Sequence, residues 1–142
     1  MMNNKILLLP GDGVGPEIMS ETVKLLDYLI DNNIIDIVYE YADIGGVAID
    51  NHGDPFPDDT FEKAKSSRAI LLGAVGTKKH DKNENIMKPE SGLLALRKKL
   101  DLYINLRPIF IFQNLIDKSS LKPDVIKAVS YTHLTLPTRR CV

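Results

Sequence analysis

Short apolar runs and a longer stripe of apolar residues at helical spacing alternate along the first hundred residues of the chain. Residues 5–9 and residues 69–72 are almost continuous runs of Ile, Leu and Ala, which is typical of strands buried on both faces. Between them, a stripe at helical spacing predicts a helix that ends near residues 32–33, and its apolar members are Met19, Val23, Leu26 and Ile30. The pattern therefore predicts a strand, a helix and a second buried strand.

Further elements follow from shorter patterns. Alternation over residues 35–41 predicts a half-buried strand, and Gly53-Asp54-Pro55 predicts a turn. Asp59 with Glu62 three residues later resembles a capping box that opens a short helix. Another helix is predicted from Glu90, and a strand over residues 103–112. Because strands and helices alternate, the predicted fold class is α/β with a largely parallel sheet flanked by helices.

Composition and charge limit the classes of partner. The chain has 142 residues, 44% of them hydrophobic, and a net charge of −1 from 18 basic and 19 acidic residues, so we expect about one globular domain. This balance predicts no nucleic acid and no membrane as partner. The apolar run at residues 6–9 is too short to span a bilayer and no signal cleavage site follows it, so the cytoplasm is the expected location. The single cysteine, Cys141, excludes an internal disulfide and a cysteine-rich metal site.

The predicted helix that starts at Glu90 carries the candidate binding residues. Glu90, Leu93, Leu94 and Arg97 stand at i, i+3, i+4 and i+7, on one face, and Arg107 follows on a predicted strand. A guanidinium grips a carboxylate through two hydrogen bonds, so this set suits a small ligand with carboxylates and one branched apolar group. The alternative is an ordinary amphipathic helix whose leucines lie in the core and whose charges face water.

Five segments of the chain carry a resemblance to known proteins, and it is collinear from residue 2 to residue 128. The segments are residues 9–17 (LPGDGVGPE), 44–46 (IGG), 53–57 (GDPFP), 72–76 (LGAVG) and 89–94 (PESGLL). Together they resemble one known family, the isocitrate/isopropylmalate dehydrogenases, and within it the isopropylmalate branch. Residues 89–94 are the most specific segment, because the isocitrate enzymes generally have small hydroxyl and amide side chains at the positions of Glu90 and the two leucines. The resemblance implies the N-terminal part of this family's fold.

The glycine-rich segment at residues 11–15 does not by itself indicate a dinucleotide site. Its spacing is G-x-G-x-G-P rather than the G-x-G-x-x-G of a Rossmann fold, and a tight strand-to-helix turn explains the glycines equally well. The family binds its nicotinamide cofactor on a non-Rossmann scaffold. The resemblance implies that the cofactor contacts of this chain are Thr77, Lys78, Lys79, His80, Pro89 and Glu90.

The resemblance also implies an activity. The family enzyme oxidises 3-isopropylmalate with NAD and decarboxylates the product to 2-oxoisocaproate in leucine biosynthesis, aided by Mg²⁺ or Mn²⁺, as a homodimer. Arg97 and Arg107 would hold the malate carboxylates, Leu93 and Leu94 the isopropyl group, and Glu90 would lie between substrate and nicotinamide. The catalytic acid–base groups and the metal ligands of the family are expected after residue 128, so none is expected in this chain.

The sequence departs from the family after residue 128. Residues 129–134 resemble the translation of an adapter used in sequencing libraries, so we expect residues 129–142 to be a foreign tail that packs against nothing, and the truncated chain to be inactive. A genuine divergent tail is the alternative. A tartrate or homoisocitrate dehydrogenase and a non-catalytic small-ligand-binding domain also remain open, as does the choice between NAD and NADP.

Overall fold

The structure is a computed structural model that describes residues 4–77, 79, 88–107, 122 and 134–135. The chain divides into two compact units, Met1–Asp101 and Leu102–Val142. Within the described residues, no helix combines the length and the apolar character needed to cross a membrane.

The first unit is an α/β layer built on a parallel sheet. Its elements are β1 (Lys5–Gly11), α1 (Gly15–Asp31), β2 (Val38–Tyr41), α2 (Gly46–His52), α3 (Asp58–Ser66), β3 (Ala69–Ala74) and α4 (Pro89–Lys99). The strand order is β2-β1-β3, and both pairings of β1 are parallel. The predicted fold class and the predicted parallel sheet are therefore confirmed.

The central strand β1 forms the middle of the core. Its three leucines, Leu7, Leu8 and Leu9, are fully buried, as the continuous apolar run predicts for a strand covered on both faces. Ile44 and Phe56 lie in the same core, and Leu96 of α4 joins them at 5% exposure. The helix that carries the candidate binding residues is thus anchored in this core through Leu96.

Three sequence-based expectations about the first unit need correction. β2 begins at Val38 and not at residue 35, because its first partner, Lys5, is where β1 begins. The helix α2 was not predicted. The capping box at Asp59 is wrong: α3 begins one residue earlier, no side chain caps it, and the Asp59 carboxylate instead accepts a hydrogen bond of 2.6 Å from Lys63.

The second unit contains one described strand pair. β4 (Leu106–Arg107) pairs antiparallel with β5 (Leu134–Thr135). The expectation that the tail packs against nothing is therefore wrong for these two tail residues, since the backbone of a lone strand is satisfied by any extended partner. The predicted strand over residues 103–112 is confirmed only at β4: residues 103–105 are not in a strand, and residues 108–112 lie outside the described residues.

Candidate functional site

Helix α4 has a buried side that fixes its position. Pro89, Gly92 and Leu96 are buried, with the spacing of one helical face. Gly92 lies against the turn before α3, where an added Cβ would stand 2.5 Å from the carbonyl oxygen of Pro55. A side chain at this position would collide with backbone, so glycine is what lets the helix approach the turn this closely.

A neighbouring face of α4 carries the predicted substrate residues. Leu94 is 61% exposed, Leu93 and Arg97 are half-buried, and Glu90 is exposed. The alternative in which the leucines are simply core is wrong for Leu94, although it holds for Leu96. An apolar side chain is therefore displayed between a carboxylate and a guanidinium on one face.

The charges on this face have no partners within the part of the chain that the structure describes. Among the described residues, neither Glu90 nor Arg97 takes part in a hydrogen bond or an ion pair. They are seven residues apart, which corresponds to about 10 Å along the helix axis. Arg97 also lies in the last turn of α4, where the helix dipole favours a cation. An unpaired, half-buried guanidinium of this kind is suited to an anionic ligand.

Arg107 belongs to the second unit. Its backbone is part of β4, and its side chain lies outside what the structure describes. The expectation that it approaches Arg97 from a neighbouring strand stays a prediction.

Asp12 connects three segments at the carboxyl end of the sheet. It is 4% exposed, and its carboxylate accepts hydrogen bonds from the backbone N–H groups of Gly46 (2.7 Å), Val47 (2.8 Å) and Gly76 (3.0 Å). Its own N–H donates to the carbonyl oxygen of Ala74 at 2.6 Å. Bonds from backbone N–H groups to a carboxylate are stronger than neutral ones, and the N-terminus of α2 also favours a negative charge. The three segments are thereby held together.

A cleft of about 240 Å³ lies beside this carboxylate. Its lining includes Gly13 of the first loop, Val47 at the start of α2, and Thr77 and Lys79 after β3. The Thr77 Oγ1 atom is buried and has no hydrogen-bond partner in the described part of the chain. A buried hydroxyl without a partner costs free energy, so its presence marks a place where a ligand group can bind.

The predicted cofactor residues fall partly in this cleft. Thr77 and Lys79 line it, and the Lys79 ammonium donates to the Asp50 carboxylate at 2.7 Å. Pro89 is the buried first residue of α4. Glu90 is close to the same region, because a Cβ on Gly76 would stand 3.0 Å from its Oε1 atom. Lys78 and His80 lie outside the described residues.

Sequence reasoning missed Asp12, Asp50 and the start of α2 as parts of this cleft. The signal for Asp12 was an acidic residue between two glycines at the end of a buried strand, where parallel sheets commonly bind ligands. In the described ranges, no group of three or more His, Cys, Asp or Glu residues is placed to hold a metal ion.

Comparison with known proteins identifies the family. The sequence profile of isocitrate/isopropylmalate dehydrogenase matches residues 5–133. The chain belongs to this family. The match reaches five residues past the point where the motif resemblance was expected to end, up to residue 133.

Curated relatives within the isocitrate/isopropylmalate dehydrogenase family include two 3-isopropylmalate dehydrogenases. The one from Pseudomonas putida is 48% identical over 128 residues, which are 90% of this chain and 36% of that protein. The one from Hydrogenovibrio crunogenus is 49% identical over 125 residues, or 88% of this chain and 35% of that protein. The chain thus spans about a third of the length of these relatives.

Solved structures of the family agree in fold. A β-decarboxylating dehydrogenase from Thermococcus kodakarensis superposes with a TM-score of 0.58 at 30% identity, covering 75% of this chain and 30% of that one. An isocitrate dehydrogenase from Methylococcus capsulatus superposes with a TM-score of 0.59 at 29% identity, covering 77% of this chain and 29% of that one. The parent family is therefore one of dehydrogenases.

Proposed function

We propose that this chain is the substrate-gripping part of an NAD-dependent dehydrogenase that converts 3-isopropylmalate to 2-oxoisocaproate in leucine biosynthesis. The observation that carries the proposal is the free face of α4, where Leu94 is 61% exposed between the unpaired charges of Glu90 and Arg97. The relatives that carry the name 3-isopropylmalate dehydrogenase support the same substrate.

Each group on this face has a role matched to its chemistry. Arg97 binds one malate carboxylate through a bidentate contact, and Arg107 is proposed for the other. Leu93 and Leu94 bury the isopropyl group, which water solvates poorly. Glu90, beside Gly76 and the cleft, separates the substrate from the cofactor. Burial of a small apolar group changes kcat/KM by a limited factor, so we expect a clear but incomplete preference for 3-isopropylmalate over malate.

The cleft beside Asp12 fits a nicotinamide nucleotide in its chemistry. Its glycine backbone allows a close approach, the Thr77 hydroxyl lacks a partner among the described residues, and the Lys79 ammonium, which is paired with Asp50, could exchange that carboxylate for a phosphate. When bound, NAD supplies the acceptor for the hydride of the 2-hydroxy acid. The proposed Mg²⁺ or Mn²⁺ has no matching donor set among the described residues, so no step is assigned to it here.

The proposal extends to the whole protein. A homodimer and a cytoplasmic location follow from the family resemblance, and residues 129–142 are proposed to be a foreign tail. The catalytic acid–base groups of the family are proposed to lie in the part of the protein that follows the segment matched by residues 1–128. We therefore expect the purified 142-residue chain to give no NAD reduction with 3-isopropylmalate and Mg²⁺. Turnover above the blank would contradict this part of the proposal.

A chimera tests the function directly. Residues 1–128 of this chain replace the matching segment of the Pseudomonas putida relative, which is 48% identical over that length. Steady-state rates are then measured with 3-isopropylmalate, tartrate, homoisocitrate and malate, each with NAD and with NADP. A preference for 3-isopropylmalate supports the proposal. A folded, inactive chimera, or one that prefers a polar substrate, would refute it, and binding without turnover would favour a ligand-binding domain.

A further inference from the structure

The Gly76 residue lies close to two carboxylates, those of Asp12 and Glu90. Its N–H donates to the Asp12 carboxylate at 3.0 Å, and the space at its Cα is closed by the Glu90 carboxylate, which a Cβ would meet at 3.0 Å. Its φ of +127° lies in a region that side chains rarely adopt. The backbone of Gly76 is thus bonded to Asp12, and its Cα faces the end of the exposed Glu90 side chain.

The Asp12 carboxylate itself has little freedom to move. It is bonded to the first two residues of α2, and at Gly45, where φ is +80°, a Cβ would stand 2.5 Å from its Oδ2 atom. A side chain at position 45 would therefore collide with the Asp12 carboxylate, so a glycine is needed beside it. Rigid placement of this kind is what a site needs when reacting groups must meet within a fraction of an ångström.

We propose that Asp12 is a positioning residue of this site, which fixes Gly76 and Thr77 at the cleft and thereby fixes the approach of Glu90 to the cofactor. The inference rests on the proposed dehydrogenase function. Asp12 borders the cleft, but in this role it acts through the backbone groups that it holds. It acts by tying the end of β3 to the start of α2 through one buried carboxylate.

The alternative is that Asp12 only stabilises the fold, and the two roles predict different measurements. The first variant is Asp12→Asn in the chimera, which keeps the shape of the side chain but replaces one accepting oxygen by an amide that cannot accept a hydrogen bond. We expect kcat to fall about 10- to 100-fold and KM for NAD to rise about tenfold, as misplacement by about 1 Å does elsewhere. We expect KM for 3-isopropylmalate to change little, because Arg97 lies two helical turns away from Glu90 on α4.

Thr60→Val is the matched control. Thr60 is also a buried polar residue, 2% exposed, and its hydroxyl donates to the Asp43 carbonyl oxygen, outside the cleft. This variant should lower the Tm of the chimera without changing its kinetic constants. If Asp12→Asn behaves in the same way, with a lower Tm and unchanged kcat and KM for NAD, then Asp12 is only structural and the inference is wrong.

A second variant covers the case in which Asp12→Asn does not fold. Gly76→Ala leaves Asp12 intact and disturbs the same segment, because an alanine is strained at the φ of +127° and its Cβ would meet the Glu90 carboxylate. It should give the same signature, a lower kcat and a higher KM for NAD, and normal values of both would overturn the inference. An inactive unmodified chimera would refute the proposed function, and with it the inference. An active chimera whose Asp12→Asn and Gly76→Ala variants keep normal kcat and KM would refute only the positioning role.

Discussion

Two leucines that lie two residues apart on α4 offer a sharp test of the substrate face. Leu94 is 61% exposed and Leu96 is 5% exposed. An isopropyl group has three carbons, so its burial is worth about 2.4 kcal/mol at about 0.8 kcal/mol per carbon. If Leu93 and Leu94 share this equally, Leu94→Ser in the chimera should lose about 1.2 kcal/mol, which is about eightfold in the preference for 3-isopropylmalate over malate.

The stability of the same variants separates a binding role from a packing role. Leu94→Ser removes no core contact of the first unit, so Tm should change little, as for surface substitutions within about 0.5 kcal/mol. Leu96→Ser opens a cavity in the core and should cost about 2–5 kcal/mol. The assay is kcat/KM for both substrates together with thermal unfolding. The reasoning is refuted if Leu94→Ser keeps the full preference, or if it lowers Tm as much as Leu96→Ser does.

Three further predictions concern other contacts. Arg97→Lys should lower kcat/KM for 3-isopropylmalate by more than about tenfold, because a bidentate contact becomes a point charge. Lys98→Ala, at the exposed neighbouring position, should leave kcat/KM unchanged. Equal kinetics of the two variants would contradict the carboxylate-binding role of Arg97. Gly92→Ala should lower Tm although alanine in a helix normally adds about 1 kcal/mol, since its Cβ meets the Pro55 carbonyl; a higher Tm would contradict that contact. The hydrogen bond that Tyr39 donates to Asp27 at 2.7 Å raises the pKa of the phenol above 10.0. The stability that this hydrogen bond contributes is therefore present below about pH 10 and is lost as the pH rises through the folded-state pKa. Tyr39→Phe should weaken the fall of Tm above about pH 10, and an unchanged fall would exclude a contribution from this hydrogen bond.

The elements that the sequence predicted well are those whose pattern is local. β1 and β3 are continuous apolar runs, and α1 and α4 carry a stripe or a face at helical spacing. Burial of Leu7 to Leu9 follows from the pattern without knowledge of any partner, whereas the helical spacing alone left the core alternative open for Leu94. The boundaries shifted where pairing decided them, as at β2, which starts where β1 provides a partner.

The elements that the sequence missed depend on contacts between distant residues. α2 has only seven residues and begins after Gly45 at a φ of +80°. Two of its first N–H groups are bonded by Asp12, which is 34 and 35 positions earlier in the chain. Propensity within a seven-residue window does not contain this information, since isolated helices of that length are unstable in water.

The cleft was missed for the same reason, and its geometry explains why the first loop contains an acidic residue at all. A tight turn between a strand and a helix needs glycines, but it needs no carboxylate. The Asp12 carboxylate is required because Gly46, Val47 and Gly76 present backbone N–H groups to one buried point, and an amide or a hydroxyl could not accept all three equally well. The motif at residues 11–15 is thus a turn built around an internal anchor, and that anchor joins the start of α2 to the segment after β3 at the cleft proposed for the cofactor.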